Sequence, residues 1–157
     1  MSKNYIKEYY NKILSGEIVT SKRVQEVYKR LVYDIDNPKE YHFDIRKAQK
    51  PIDFMERFLK QSKGEWFGKP IRLLLFQKAF IQALYGFVDD NGNRKYKEAF
   101  FLVARKNGKS TLLAGLALYN LMCDEKGACC YSLATTRDQA KIVFNEALNM
   151  FTQSPEL

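Results

Sequence analysis

Apolar residues recur at helical spacing through most of the chain up to Tyr85. Residues 3–14 bring Tyr5, Ile6, Tyr9, Tyr10, Ile13 and Leu14 together, and Gly16 supplies a stop. Thr20 or Ser21 caps a second helix, with Val24, Val27, Tyr28, Leu31 and Val32 on one face. It should end before the turn cluster Asp36-Asn37-Pro38. Asp44 starts a third helix reaching about Gln61, with Ile45, Ala48, Ile52, Met55 and Leu59 in register. Pro51 lies inside it and predicts a kink or a new start. Gly64, Gly68 and Pro70 form a loop around Trp66. A fourth helix, about Leu75 to Tyr85, turns Phe76, Ala79, Phe80 and Ala83 inward. The aromatic residues of the first two helices read as core in preference to base-stacking groups.

After Tyr85 the period changes. Phe87-Val88, the polar stretch Asp89 to Asn93 and the run Arg94 to Ala104 predict a β-hairpin, with Asn91-Gly92 suited to a type I′ turn. Phe100, Phe101, Leu102 and Val103 are consecutive apolar residues, the pattern of a strand buried on both faces. A helix follows from about Lys109 to Asp124, carrying Leu112, Leu113, Leu116, Ala117 and Met122, and Gly127 breaks it. Ala128 to Ala134 predicts a second buried strand, Thr135-Thr136 a cap, and Arg137 to Thr152 a last helix. The order from Ala99 to Thr152 is therefore β-α-β-α, which makes the two strands parallel. No internal repeat or low-complexity tract interrupts it.

The loop between the first of these strands and its helix carries the chemistry. Ala104-Arg-Lys-Asn-Gly-Lys-Ser-Thr111 ends in Gly-Lys-Ser-Thr, close to the phosphate-binding pattern G-x-x-x-x-G-K-[ST], but Val103 stands where the pattern has its first glycine. Gly108 admits close approach of backbone to phosphate oxygens. Lys109 supplies an ammonium for the β- and γ-phosphates, and Ser110 a hydroxyl for Mg²⁺ bridging them. The N–H groups and positive dipole end of the following helix suit an anion. The tripeptide Gly-Lys-Ser alone is a weak signal, and its strand-loop-helix setting is what raises it. An ordinary polar β-α turn is the competing reading. The fold class expected is α/β: a partial parallel sheet of the P-loop nucleoside triphosphatase kind, preceded by a helical region and a β-hairpin.

Composition narrows this further. At 157 residues there is room for one domain with a real core, and the apolar and charged fractions, 46% and 28%, are those of a globular chain. The net charge of +8 is spread along both halves, so nucleic acid binding and a solvated basic surface both stand. Cys123, Cys129 and Cys130 lack metal-ligand spacing and read as reduced, buried structural cysteines. The N-terminus lacks the apolar core of a signal peptide, and no segment has the length of a membrane span. A soluble protein of the cytoplasm is expected.

Taken together, the loop, Gln77 upstream of it and the second strand resemble the ATPase part of the large terminase subunit of tailed bacteriophages, a DNA-packaging motor and nuclease. Ala104 to Thr111 is similar to that family's deviant Walker A loop, which dispenses with the first glycine and bears an Arg four residues before the Lys. Gly68-Lys-Pro-Ile-Arg-Leu-Leu-Leu-Phe-Gln77 resembles the segment supplying an adenine-reading Gln, and Cys130 to Ala140 the strand and turn after the loop's helix. The resemblance covers most of the chain and implies a RecA/ASCE-like core. It divides the sequence into an N-terminal helical region, 1–66, and an incomplete ATPase core, 67–157.

The same resemblance implies ATP and Mg²⁺ as cofactors. Arg105, Lys106, Asn107, Gly108, Lys109, Ser110 and Thr111 would hold the nucleotide, with Lys109 and Arg105 in catalytic roles and Ser110 on the metal. Gln77, with a donor and an acceptor in one amide, can pair with the adenine edge, against the alternative of a solvated helical Gln. Arg105 either stabilises γ-phosphate charge or senses the nucleotide state, against the alternative of a surface ion pair. Thr135, Thr136 and Arg137 stand where a loop touches DNA or nucleotide, although a plain helix cap is the simpler role.

Partners implied are double-stranded DNA, a small terminase subunit, a portal protein and a homo-oligomeric ring, with no membrane. No apolar run followed by paired acids lies downstream of the loop. Asp124-Glu125 ends a helix and Asp89-Asp90 sits in a turn, so ATP binding without turnover is expected of these residues alone. A truncated, split or trimmed phage or prophage gene would account for such a piece. Another P-loop DNA translocase or helicase, or a non-catalytic DNA- or partner-binding remnant, are the alternatives.

Overall fold

The computed structural model describes residues 3–124 and 127–157, so Glu125 lies outside the described residues. Six α-helices and a two-stranded sheet, with a 3₁₀ turn over Gly64–Trp66 and a π-helical turn over Asn120–Asp124, make up its regular structure among those residues: α1 Tyr5–Leu14, α2 Lys22–Asp36, β1 His42–Phe43, α3 Ile45–Phe58, α4 Leu75–Gly86, β2 Phe87–Val88, α5 Lys109–Tyr119 and α6 Arg137–Thr152. The chain divides into two compact units. Unit 1 comprises residues 1–52 and 73–100, and unit 2 comprises 53–72 and 101–157.

Unit 1 is built on α1, α2 and α4. Asn4 accepts from the Lys7 N–H to start α1, and Ser21 accepts from the Val24 N–H to start α2, so local capping chemistry fixes where each helix begins. Ile6, Tyr9, Ile13, Tyr28, Leu31, Ala79 and Phe87 form the buried centre, with Tyr9 and Tyr28 packed edge to face at 4.7 Å. The aromatic stripe is core, as the spacing indicates. Leu14 and Val27 are exposed instead of joining it.

The inward face of α4 also differs from the one the spacing predicts. Ala79 is buried, but Ile81, Gln82 and Tyr85 are buried too, while Phe76 and Ala83 are only partly covered. Gln82 is fully enclosed and works as a clamp. Its Oε1 accepts from the Tyr5 N–H at 2.7 Å and its Nε2 donates to the Lys3 carbonyl at 2.8 Å. A buried amide with both ends satisfied ties the start of α1 to α4.

β1 and β2 pair antiparallel, His42 opposite Val88 and Phe43 opposite Phe87. The hairpin predicted over Phe87–Ala104 is reduced to its turn: the Asp89 N–H donates to the Asn93 carbonyl, and one isolated bridge joins Val88 to Arg94. Asp44 accepts from the N–H groups of Arg46 and Lys47 and so caps α3. That helix runs unbroken through Pro51 to Phe58.

Unit 2 holds α5 and α6, which pack on each other. Leu112, Ala114, Gly115, Leu116, Leu118 and Tyr119 of α5 are buried, Leu113 and Met122 are not, and a π-helical turn over Asn120–Asp124 extends the helix. Gly115 lets Met55 and Leu59 pack against the backbone, since a Cβ there would stand 2.3 Å from Met55 Cε.

The two predicted buried strands differ most from expectation. Among the described residues neither 99–104 nor 128–134 forms a β-ladder, and Phe100, Leu102, Tyr131 and Leu133 are 81–90% exposed. Cys123, Cys129 and Cys130 are likewise exposed and not buried. Apolar side chains supply only half of a strand; the other half is a neighbouring strand to exchange N–H···O=C bonds in register, and among the described residues the sheet consists of β1 and β2 without these runs. The sheet actually present is antiparallel and lies in unit 1.

Candidate functional site

Two glycine-like conformations shape the loop of unit 2 that precedes α5. Gly108 adopts φ 70° and ψ 22°, the left-handed region, as the N-cap of the helix. Lys106 has φ 65°, the one positive φ at a non-glycine residue among those described. The chain therefore turns sharply twice within three residues. The Asn107 side chain braces the turn, its Nδ2 donating to the Ala104 and Arg105 carbonyls at 3.2 Å each.

Because the N-cap is a glycine, it offers no side chain to cap the first turn of α5. The N–H groups of Lys109, Ser110 and Thr111 thus form a donor cluster at the positive end of an eleven-residue helix. The Lys109 ammonium folds back over the loop, donating to the Val103 carbonyl at 2.7 Å and the Ala104 carbonyl at 2.9 Å. That leaves the charge at the mouth of the loop with two of its three donors spent on backbone. Arg105, Lys106, Asn107 and Gly108 are exposed, and Lys109, Ser110 and Thr111 are half-buried. Three cations and a row of amides concentrate on one short segment. Such a segment can hold a polyanion.

The donor set fits a nucleotide phosphate chain. It fits Mg²⁺ in the limited way that ion requires, since magnesium keeps most of its waters and takes one or two protein ligands besides phosphate. Ser110 would be one. Among the described residues no group of three or more His, Cys, Asp or Glu side chains forms a metal cage.

Seven of the eight sequence-predicted site residues, Arg105 to Thr111, thus fall in one loop and the first turn of its helix. Gln77 belongs to unit 1, where it is buried in the first turn of α4 and its Oε1 accepts from the Leu74 N–H at 2.9 Å. Thr136 caps α6, accepting from the Gln139 N–H, and Thr135 pairs with the Gln139 side chain.

Sequence reasoning missed one residue beside the loop. Glu146, on α6, is 5% exposed. Its Oε1 accepts from Ser62 Oγ at 2.6 Å and from Thr111 Oγ1 at 3.3 Å, and its Oε2 meets Lys63 Nζ at 2.9 Å. Burial pushes its pKa up, but the Ser62 and Lys63 contacts outweigh that and hold the carboxyl below its ordinary value. A single Glu in an amphipathic helix carries no pattern that separates it from a solvated one.

A family profile described as "Terminase large subunit, ATPase domain" matches residues 75–157. The large terminase subunit of Enterobacteria phage HK97 is 39% identical over 115 residues, which cover 72% of this chain and 22% of that protein. The chain therefore spans less than a quarter of the length of that relative. No solved structure matches it.

Proposed function

The chain belongs to the terminase large-subunit family, and we propose that its Ala104–Thr111 loop is the ATP-gripping element of a phage DNA-packaging motor. Lys109 neutralises the β- and γ-phosphates, the Lys109–Thr111 amides cradle their oxygens, and Ser110 takes a place on Mg²⁺. Arg105 would stabilise γ-phosphate charge or sense the nucleotide state, and Gln77 would read adenine. In this reading residues from about 67 onward contribute to a P-loop core in which the runs 99–104 and 128–134 become parallel strands. Hydrolysis calls for an acid to hold the metal and another to orient water, so these residues alone bind ATP without turning it over. Double-stranded DNA, a small subunit, a portal and a ring of like subunits are the partners that the family implies, in the cytoplasm of an infected host.

One observation carries the reading. The Lys109 ammonium is held on the Val103 and Ala104 carbonyls of a loop that ends in a left-handed glycine at the N-cap of α5, a combination of cation and helix start that suits a phosphate chain. Titration of the chain with a fluorescent ATP analogue and Mg²⁺ tests it. The wild type binds, and Lys109→Ala weakens binding by about tenfold or more, the loss of a charge-assisted contact. Equal and negligible binding by both proteins would remove the site.

A further inference from the structure

Ser62, Lys63 and Thr111 converge on one buried carboxylate, and Thr111 is the third residue of the helix that starts at the phosphate loop. An ionised carboxylate only accepts, so the Thr111 hydroxyl must donate to it. A helical threonine otherwise divides between two rotamers, one of them bonded back to a carbonyl three or four residues earlier. For Thr111 those carbonyls belong to Gly108 and Asn107, within the loop itself. Donation to Glu146 removes that choice. It fixes the side chain two residues beyond Lys109 and leaves the loop carbonyls out of its reach.

Stability alone is a poor reason to keep such a group. α5 buries Leu112, Ala114, Leu116, Leu118 and Tyr119, and α6 buries Met150 beside Glu146; an internal ion pair contributes little that further apolar packing there would not. What a directional carboxylate adds is orientation. We propose that Glu146 is a positioning residue for the phosphate loop, acting through Thr111 to hold the first turn of α5 in its phosphate-binding arrangement. The Ser62 and Lys63 contacts keep the carboxylate ionised and aimed. This rests on the reading of the loop as an ATP site.

The test is a double-mutant cycle in affinity for the fluorescent ATP analogue with Mg²⁺, measured on the full chain. Glu146→Gln and Thr111→Val each weaken binding about fivefold, and the double variant is no weaker than Thr111→Val, because one residue works through the other. Thr111→Ser, which keeps the hydroxyl, binds more tightly than Thr111→Val. Multiplying losses in the double variant, or wild-type binding by Glu146→Gln, would overturn the proposal. Should Glu146→Gln not fold, Glu146→Gln with Lys63→Gln removes both charges together and replaces it in the cycle. Lys109→Ala separates the two readings. If it binds as the wild type does, the loop is not the ATP site and both fail; if it is weakened while Glu146→Gln is not, only the positioning role fails.

Discussion

Lys106 holds a backbone conformation that favours glycine, in the middle of a loop rich in positive charge. A left-handed residue with a Cβ costs about 1 kcal/mol, and such strain persists where the surrounding contacts impose it. Here the Asn107 amide and the Lys109 ammonium, each donating to two loop carbonyls, supply those contacts. The strain and the clustered donors arise in the same short loop, so it is set in shape before any anion arrives. Lys106→Asn, a residue that tolerates this region, should leave the melting temperature nearly unchanged. Lys106→Val, with a branched Cβ, should lower stability by about 1–2 kcal/mol in a denaturant titration. Equal stability of the two variants would show that the loop relaxes out of the left-handed region.

Gly86 ends α4 where β1 and α3 come closest to it in unit 1. A Cβ there would stand 2.4 Å from the Phe43 ring and 2.9 Å from Ala48 Cβ. Phe43 is held between Phe87 and the sheet pairing, so it has little room to yield. Gly86→Ala should cost about 1–3 kcal/mol as overpacking, read as an earlier denaturant midpoint with an unchanged slope. The helices were legible because caps such as Ser21, Asp44 and Thr136 act within one turn of chain. The sheet was not legible. Phe100–Val103 and Ala128–Ala134 carry strand composition, yet a ladder depends on a second segment that no local pattern names. The loop falls between these cases. Gly-Lys-Ser announces its chemistry, whereas the Lys106 turn and the Glu146 contact come from backbone geometry and from α6, 35 residues on from Thr111.

At the scale of the whole molecule, each unit holds a carboxylate in its charged form through neighbouring cations. In unit 1 Asp34 accepts from Lys95 at 2.7 Å and Arg30 at 2.9 Å; burial raises its pKa, but these two cations win and bring it below its ordinary value. In unit 2 Glu146 is lowered against its burial by Ser62 and Lys63. Asp44 is lowered too, the N–H groups of Lys47 and Arg46 overcoming its burial at the start of α3. A depressed carboxyl stabilises the fold above the pKa it has in the unfolded chain, about 4. That contribution is lost as pH falls through the folded value. Stability should therefore be level from pH 7 down to about 5 and decline below about 4, since the unfolded chain then takes up protons that the folded chain refuses. Thermal melts followed by circular dichroism across that range measure the decline. Asp34→Asn removes the Asp34 contribution in advance: it should melt lower at neutral pH and lose less on acidification than the wild type. An acid decline of undiminished size in Asp34→Asn would place the linkage in other carboxylates and not in the Lys95–Asp34–Arg30 contact.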